Sequence, residues 1–286
     1  MLTIVGSRQR QSCGALCQPV RSAPCGRRLR LPGTWIIHGE TMKTASPRVL
    51  LKTSTDELFL PSRIVYHVWD EKELVTRLRQ LRCMGFDRQG GRWTWNFEHE
   101  AKAMGFPAIY ESGPAARQGV VLAAGYLVDA STFHVYVRCV ERLVKFLVFF
   151  DRAVSRSCAK AEFLDEFNLV TTVGPGEAIP APEDFFRNER EFEFLDIEKE
   201  VRERRARGED AAAWMQALTR RPLQARERHR MDLFYEDGLT SFQSNMQFRA
   251  MLAMKQHLEG RSIRPYDVIR ELMESDQAGK DQYHLD

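Results

Sequence analysis

The sequence predicts an α+β fold, in which a ferredoxin-like antiparallel sheet domain over residues 61–176 precedes an all-helical C-terminal region over residues 183–276. Between residues 61 and 176, apolar side chains recur with the strand period and the helix period by turns, in the order β-α-(α)-β-β-α-β. This is the split βαβ order of ferredoxin-like domains (βαββαβ), with one extra short helix. Beyond Pro182 strand patterns cease and helical patterns continue. A less regular α+β domain with the same elements is the alternative.

The first elements follow from local signals. A strand is predicted over residues 63–69, which are rich in β-branched and aromatic side chains. Asp70 suits the N-cap of a helix that ends near residue 83, because an aspartate side chain accepts hydrogen bonds from the free N–H groups of a first helical turn. Glycines within residues 85–91 predict a loop, and a short second helix is expected over residues 96–104.

The second half of the predicted domain begins with two strands, over residues 118–128 and 132–138, joined by a tight turn as a hairpin. A helix over residues 141–154 is apolar nearly all round, so both of its sides should be covered by other parts of the protein. A last strand is predicted over residues 167–173, where β-branched residues precede a Gly-Pro-Gly turn.

The C-terminal region is predicted to be a helical domain over residues 183–276 with a frayed polar tail over residues 277–286. Its helices are expected over residues 183–208, 210–220, 240–259 and 265–275. Glutamate-to-arginine pairs at i,i+4 recur in the first of these helices and are typical of a solvent-exposed helix.

The charge of the chain is unevenly distributed. Residues 1–41 contain six arginines and a single acid, a net charge of +5, whereas the remaining 245 residues carry 36 basic and 38 acidic side chains, a net charge of −2. This leader is predicted to be disordered, a transit peptide, a basic arm for nucleic acid, or a segment upstream of the true start at Met42. Residues 42–60 are expected to form an extended lead-in to the folded body.

Cysteine usage and hydropathy bear on the compartment. The spacings of the six cysteines miss the C-x2-C pattern of a zinc site, which favours separate thiols in a reducing environment. The longest apolar run, residues 143–150, is far shorter than the roughly 20 residues of a membrane span. We therefore expect a cytoplasmic protein with no membrane partner, or a protein of an organelle matrix if residues 1–41 are a transit peptide.

Enzyme motifs are mostly missing. Neither a phosphate-binding loop (G-x-x-x-x-G-K-[ST]) nor a nucleophile elbow (G-x-S-x-G) occurs in the sequence. Carboxylates near the predicted sheet could hold a divalent metal or act as acid and base; they are Glu98, Glu100, Asp129 and Asp151. Local ion pairs and helix geometry explain these residues equally well. The sequence therefore predicts no metal or other cofactor and favours a non-catalytic protein, with a divalent-metal enzyme as an alternative.

One face of the predicted sheet is a candidate binding platform. Alternation along residues 132–138 places one set of side chains in the core and the other set on the opposite face. If the strands over 63–69 and 132–138 are the central pair, this opposite face carries His67, Trp69, His134, Tyr136 and Arg138. Aromatic and cationic side chains on a sheet stack the bases of single-stranded RNA in RRM domains, although an RNP1 motif is not found here. The alternative is that the C-terminal helices or a second subunit cover the face.

A second candidate for polyanion binding is a basic run in the C-terminal region, formed by Arg220, Arg221, Arg226, Arg228 and Arg230. Acidic residues follow closely and weaken its positive field. The expected function is a non-catalytic binding or regulatory protein that acts through a protein partner or as a homo-oligomer. Single-stranded nucleic-acid binding through the platform and the basic run is the alternative.

Overall fold

The fold is described from a computed structural model, in which residues 2–4, 48–236 and 238–282 are described. Apart from residues 2–4, the arginine-rich leader over residues 1–41 lies outside the described residues, together with its three cysteines. The last residues of the predicted frayed tail, 283–286, lie outside them as well.

Strands and helices alternate through most of the described chain. In chain order the strands are β1 (Leu2–Ile4), β2 (Val49–Thr53), β3 (Ser62–Val68), β4 (Met84–Asp87), β5 (Arg92–Asn96), β6 (Val121–Asp129), β7 (Thr132–Val137), β8 (Ala159–Phe167), β9 (Thr172–Val173), β10 (Glu193–Leu195) and β11 (Arg226–Arg230). The α-helices are α1 (Glu71–Gln80), α2 (Ile109–Ser112), α3 (Val140–Ala153), α4 (Ile197–Ala206), α5 (Ala211–Thr219), α6 (Asp232–Glu236), α7 (Leu239–Glu259) and α8 (Pro265–Gln282). Short 3-10 helices cover His99–Met104, Pro114–Gln118, Pro182–Phe186 and Glu189–Glu191.

A mixed sheet of eight strands dominates the described part of the chain. Its strand order is β10-β11-β8-β3-β7-β6-β5-β4. Neighbouring strands are antiparallel throughout, except that β10 and β11 are parallel. A smaller three-stranded sheet has the order β1-β2-β9. The structure thus confirms a mixed fold of helices and sheet with a helical C-terminal region, but the sheet is larger than the sequence analysis predicted.

The core lies on one face of the large sheet, the helix face. Alternate side chains of β3 and β7 join Leu74 and Leu78 of α1 and the phenylalanines of α3 in one buried apolar cluster. Tyr66 on β3 packs against Phe150, with ring centroids 4.3 Å apart. Helix α3 is buried on both sides, as its sequence predicts, because α7 packs beside it and contributes Met246 to the same cluster.

Several local predictions are confirmed by hydrogen bonds and pairings. The side chain of Asp70 accepts a hydrogen bond from the backbone N–H of Glu73 at 2.9 Å and caps α1. Strands β6 and β7 form the predicted antiparallel hairpin. The predicted short second helix is the 3-10 helix over residues 99–104, which ends at Gly105 in the left-handed conformation.

The predicted loop around residues 85–91 is wrong, because these residues belong to the hairpin β4–β5. Gly85 lies in β4, whereas Gly90 and Gly91 lie in the turn, where the Asp87 carboxylate accepts hydrogen bonds from the backbone N–H groups of Gln89 and Gly90. Gly91 adopts a φ of 59°, which favours glycine. Trp95 on β5 is fully buried, so the hairpin widens the core.

The predicted strand over residues 167–173 is also wrong, because the strand that pairs with β3 is β8, over residues 159–167. Its sequence contains Asp165 and Glu166, which are buried despite their charge and therefore break the apolar alternation. The β-branched residues that follow turn away from the large sheet and pair with β2, where Leu51 donates a hydrogen bond to the carbonyl of Thr171 at 2.9 Å.

The C-terminal region is not all-helical, because it contributes β10 and β11 to the edge of the large sheet. Strand β11 consists of Arg-Glu-Arg-His-Arg and has no apolar period to reveal it. The predicted helix over residues 183–208 is an α-helix only from Ile197, where its glutamate–arginine pairs lie. Upstream of Ile197, Phe186 is buried on the sheet and keeps the chain out of a continuous helix.

A buried polar network fixes the segment before β3 to helix α3. The guanidinium of Arg142, 1% exposed, donates hydrogen bonds to Tyr110 Oη at 3.1 Å and to Thr55 Oγ1 at 2.7 Å. It also lies 3.2 Å from Glu57 Oε2, and the hydroxyl of Tyr110 donates to the other oxygen of that carboxylate. Burial raises the pKa of the neighbouring Cys139 thiol to about 12, so this thiol stays protonated and unreactive at neutral pH.

Replacing Arg142 with alanine is expected to lower the free energy of unfolding by about 3 kcal/mol, because the part-buried Glu57 carboxylate loses its cation and Tyr110 and Thr55 lose a buried hydrogen-bond donor. Urea unfolding followed by circular dichroism measures the loss. Arg152→Ala is the matched control, since Arg152 is exposed on the same helix, and it should change stability by about 0.5 kcal/mol or less. Equal losses for the two variants would contradict the role of the network.

Candidate functional site

A row of charged and aromatic side chains crosses four strands on the face opposite the helices, which we call the outer face. In the strand register Arg63 on β3 lies opposite Tyr136 on β7 and Asp165 on β8, and Arg228 on β11 lies opposite Asp165. Side chains of directly opposed residues lie on the same face of a sheet. The row therefore runs Arg228–Asp165–Arg63–Tyr136.

The carboxylate of Asp165 holds the centre of this row. It is fully buried, and Arg63 is only 2% exposed. Arg63 Nε donates to Asp165 Oδ2 at 2.7 Å, and Arg228 Nε donates to Asp165 Oδ1 at 2.6 Å. Two guanidinium groups therefore share one carboxylate. Charge-assisted hydrogen bonds of this kind are among the strongest in proteins.

A short segment over residues 182–192 lies on top of the row. The carbonyl of Phe186 accepts a hydrogen bond from Arg63 Nη1 at 3.5 Å. The Arg63 guanidinium lies over the rings of Phe186 and Phe192, at 5.5 and 6.0 Å from their centroids. Tyr136 packs against Phe186 with ring centroids 5.8 Å apart. The middle of the outer face is thus covered by the first part of the C-terminal region, as one of the predicted alternatives has it, although this part forms short 3-10 helices and not a long α-helix.

The structure separates the residues of the predicted platform. Strands β3 and β7 are antiparallel neighbours, as predicted, but in their register His67 lies opposite Thr132 whereas Tyr136 lies opposite Arg63. Trp69 is 57% exposed, and its ring lies 4.6 Å from that of His67, so these two side chains form one end of the outer face.

The other platform residues lie toward the middle and the opposite end of β7. His134 is buried, and Tyr136 is half-buried beneath the covering segment. Arg138 follows the end of β7, where its Nη1 donates to the carbonyl of Val121 at 3.3 Å. The five residues share a face but do not form one continuous stacking surface.

A pocket of about 260 Å³ opens at this opposite end, between β5, β6, β7 and residues 181–183. Tyr136 and Arg138 line it together with Arg92, Thr94 and Glu183. The hydroxyl of Tyr126 donates a hydrogen bond to Glu183 Oε1 at 3.1 Å. Burial, more than the nearby Arg142, lowers the pKa of the Arg138 guanidinium.

The predicted basic run is distributed over two places. On β11, three arginines alternate along the strand and each meets an acid: Arg226 pairs with Glu191, Arg228 with Asp165 at 2.6 Å, and Arg230 with Asp232 at 3.5 Å. Two more lie before the strand: Arg221 pairs with Glu200 at 2.8 Å, and Arg220 lies over the ring of Tyr266 at 5.4 Å. These pairings leave the run with little uncompensated charge.

The acidic residues considered for a metal or acid–base site have local roles. Glu100 accepts a hydrogen bond from the backbone N–H of Cys83 at 3.0 Å. Asp129 accepts from Ser131 in the hairpin turn, and Asp151 pairs with Arg156 at 2.7 Å. Glu98 directly precedes the 3-10 helix that begins at His99. These partners explain the carboxylates as parts of turns and helix ends.

A different cluster, which the sequence analysis missed, lies on the helix face under α7. It brings together Glu166 on β8 with Glu227 and His229 on β11, whose ligand atoms all lie within 4.8 Å of one another. His229 Nε2 lies 2.9 Å from Glu166 Oε2. However, Arg249 on α7 already supplies the positive charge: its Nε lies 2.7 Å from Glu166 Oε2, and its guanidinium also contacts Glu227. Regular alternation within β11, with Glu227 and His229 between arginines, is the signal that points to this cluster.

The electrostatics of the cluster favour an ion-pair network over a metal centre. Burial opposes ionisation of Glu166, but Arg249 and His229 outweigh it, and the pKa of Glu166 lies below its ordinary value of 4.5. A divalent cation would have to enter beside the Arg249 guanidinium, against like-charge repulsion. The ion pairs of Arg249 with Glu166 and Glu227 therefore join α7 to β8 and β11.

Comparisons of the chain with protein-family models, with curated proteins and with solved structures found no match. Among the helices of the described residues, none combines the length and the apolar character that crossing a membrane requires.

The Glu166–Arg249 contact makes stability depend on pH. Because the folded-state pKa of Glu166 is lowered, its contribution is present above pH 4.5 and is lost as the pH falls below that value. Arg249→Gln should lower the free energy of unfolding by about 3–5 kcal/mol at pH 7. It should also lose less stability than the unmodified chain between pH 7 and pH 4, as urea unfolding at both values would measure.

The control for this prediction is Arg261→Gln, since Arg261 is exposed and pairs with Glu259 at the end of α7. This variant should follow the unmodified chain at both pH values. If Arg249→Gln lost as much stability on acidification as the unmodified chain, Arg249 would not be what lowers the pKa of Glu166.

Proposed function

We propose that the chain is a non-catalytic binding protein that associates with a partner protein through helix α8. The observation that carries the proposal is the position of the apolar side chains on this helix. At about 100° per residue, Val268, Ile269, Leu272 and Met273 occupy a sector of about 140°. Val268, at one edge of the sector, is buried in the chain's own fold. The other three are 38%, 53% and 63% exposed.

An apolar helix sector of this width ordinarily faces a hydrophobic core. Here the chain's own core takes up only one edge of it. Leu258, at the end of α7, adds a side chain that is 74% exposed. Lys255 on α7 ties the two helices together through Glu271, 2.9 Å away. Neighbouring exposed apolar side chains, such as Ile269, Leu272 and Met273 on one side of α8, are a mark of protein–protein contact.

Charge indicates the chemistry of the partner. Helix α8 contains five acids and two basic side chains, a net charge of −3. Arg264 and Lys255, which lie outside the helix, pair with two of these acids and offset part of this charge. Two copies of such a helix would repel each other. The surface that complements α8 is therefore an apolar groove with a basic rim on a different protein, in the manner of helix-in-groove recognition.

Nucleic-acid binding has less support. Tyr136 is half-buried under residues 182–192, and the arginines of β11 are paired with acids. Trp69 and His67 are the part of the predicted platform that is free of this cover.

We infer that β8-β3-β7-β6, packed on α1 and α3, form a ferredoxin-like core. The antiparallel order of these four strands, in which the first and third are central, supports this. The hairpin β4–β5 and the pair β10–β11 are then additions at its two edges.

For the compartment we propose the cytoplasm, supported by the buried and free thiols of Cys83, Cys139 and Cys158.

Site-specific photo-cross-linking tests the partner proposal. A benzoylphenylalanine at position 273 of the full chain, irradiated in its native cells, should give a discrete adduct with another protein. The same probe at position 79, on the polar surface of α1, should not. Ile269→Asp should weaken the binding of that purified partner about tenfold or more, and the affinity should fall as the salt concentration rises.

Val128→Asp is the matched control, because Val128 is 57% exposed on the hairpin β6–β7. It should bind the partner as the unmodified chain does. The proposal fails if position 273 gives no adduct or an adduct with a second copy of this chain. It also fails if Ile269→Asp, folded as judged by its thermal midpoint, binds the partner unchanged.

A further inference from the structure

We propose that the pocket on the outer face is a binding site for a small carboxylate, independent of the association through α8. The pocket has a volume of about 260 Å³. Its polar lining is formed by Arg92, Thr94, Tyr136, Arg138 and Glu183. Backbone and short apolar side chains from residues 121–124 and 181–182 form the rest.

Arg138 is the residue that points to an anion. Within the described part of the chain, no carboxylate lies at salt-bridge distance from its guanidinium, and Glu183 across the pocket attracts it only from farther away. The one hydrogen bond it donates, to the carbonyl of Val121, is long at 3.3 Å. Its Nε is buried without a hydrogen-bond partner among the described residues. A carboxylate in the pocket would give the exposed part of this guanidinium the close acceptor and counter-charge that the fold does not supply.

The neighbouring charges agree with this assignment. Arg142 lies close enough to Arg138 to disfavour its protonation, although burial is the larger cause of its lowered pKa. A bound anion would relieve both effects, since it restores a partner to the guanidinium. Arg92, at the other side of the pocket, pairs with Asp87 through its Nε at 3.2 Å, which leaves further N–H groups on its guanidinium.

The sum of charges in the lining selects a monoanion. Two guanidinium groups stand against the carboxylate of Glu183 in the lining, and Asp87, outside the lining, pairs with Arg92. The positive charge left for a ligand is therefore no more than that of one guanidinium. The Tyr126 hydroxyl donates a hydrogen bond to Glu183 Oε1 at 3.1 Å and fixes the position of this carboxylate. A dianion such as inorganic phosphate would overcompensate the lining and face the Glu183 carboxylate.

The size and the walls define the rest of the ligand. At about 30 Å³ per water molecule in the liquid, the pocket volume corresponds to roughly nine waters. A ligand of about ten non-hydrogen atoms therefore fits. Ala124 and Pro182 offer apolar contact, and Tyr136 offers an aromatic ring with a hydroxyl. The ligand class is a small monocarboxylate with a compact apolar body, either a free acid or the terminal carboxylate of a polypeptide.

Titration calorimetry on the full chain tests the assignment with benzoate as the probe. Benzoate should bind saturably, and benzamide, which has nearly the same shape without the charge, should bind about tenfold more weakly or worse. Inorganic phosphate should not compete. N-acetylalanine and its amide form the second arm: if N-acetylalanine is the tighter carboxylate, the site takes a chain terminus, and if benzoate is, it takes a free acid.

Two variants locate the binding. Arg138→Gln should weaken benzoate binding about tenfold or more, because it removes the cation. Ala124→Leu should abolish binding by filling the pocket while every charge remains. Arg79→Gln, on the exposed surface of α1, is the control with the same loss of charge and should bind as the unmodified chain does.

The outcomes that overturn the proposal are also specific. They are equal binding of benzoate and benzamide, competition by phosphate at the same concentration, and benzoate binding that survives Ala124→Leu. Thermal midpoints establish whether each variant is folded. If Arg138→Gln does not fold, Ala124→Leu and the benzamide comparison still decide the question.

Discussion

The buried carboxylate of Asp165 is the constraint on which the arrangement of the outer face depends. A fully buried carboxylate is tolerated only where cations and hydrogen bonds replace the water it has lost. Arg63 supplies one cation from the neighbouring strand, and Arg228 supplies the second from β11. The ion pair with Asp165 thus stabilises β11, a strand without apolar residues, in its place beside β8. The same arginine, Arg63, holds the covering segment over residues 182–192 through the carbonyl and the ring of Phe186.

This arrangement divides the outer face into a covered middle, an exposed end and an end that contains the pocket. The middle is covered and serves the fold. One end carries Trp69 and His67 in the open. At the other end, the first residues of the covering segment close one wall of the pocket in which Arg138 lies. On the helix face, the buried carboxylates of Glu166 and Glu227 also require a cation, and Arg249 on α7 supplies it. Charged residues at both faces of β8 and β11 therefore join the C-terminal region to the sheet and leave the exposed sector of α8 as its outward surface.

The sequence predicts this molecule well where its signals are local. Asp70 as a helix cap and the apolar α3 are examples, because a cap or a helix period is visible within a few residues. The sequence does not predict strands that distant charges stabilise. The buried Asp165 and Glu166 break the alternation of apolar and polar residues in β8, and every residue of β11 is polar.

The candidate site could likewise be predicted only in part. Which residues share the outer face follows from the period of the strands, but the distance between His67 and Tyr136 along β3 and β7 depends on register and strand direction. The covering segment and the cation for Glu166 come from contacts across the fold, which a single sequence does not display.

Hydrogen exchange in an Asp165→Asn variant tests most directly whether this carboxylate joins the C-terminal region to the sheet. Asparagine keeps the volume of the side chain and removes its charge. The backbone amides of β10, β11 and residues 182–192 should exchange about tenfold faster or more, which corresponds to about 1.4 kcal/mol of local opening. The amides of β5 and β6, on the far side of the sheet, should keep the rates they have in the unmodified chain. Unchanged exchange in β11 and the covering segment, or an equal acceleration across the whole sheet, would contradict the account.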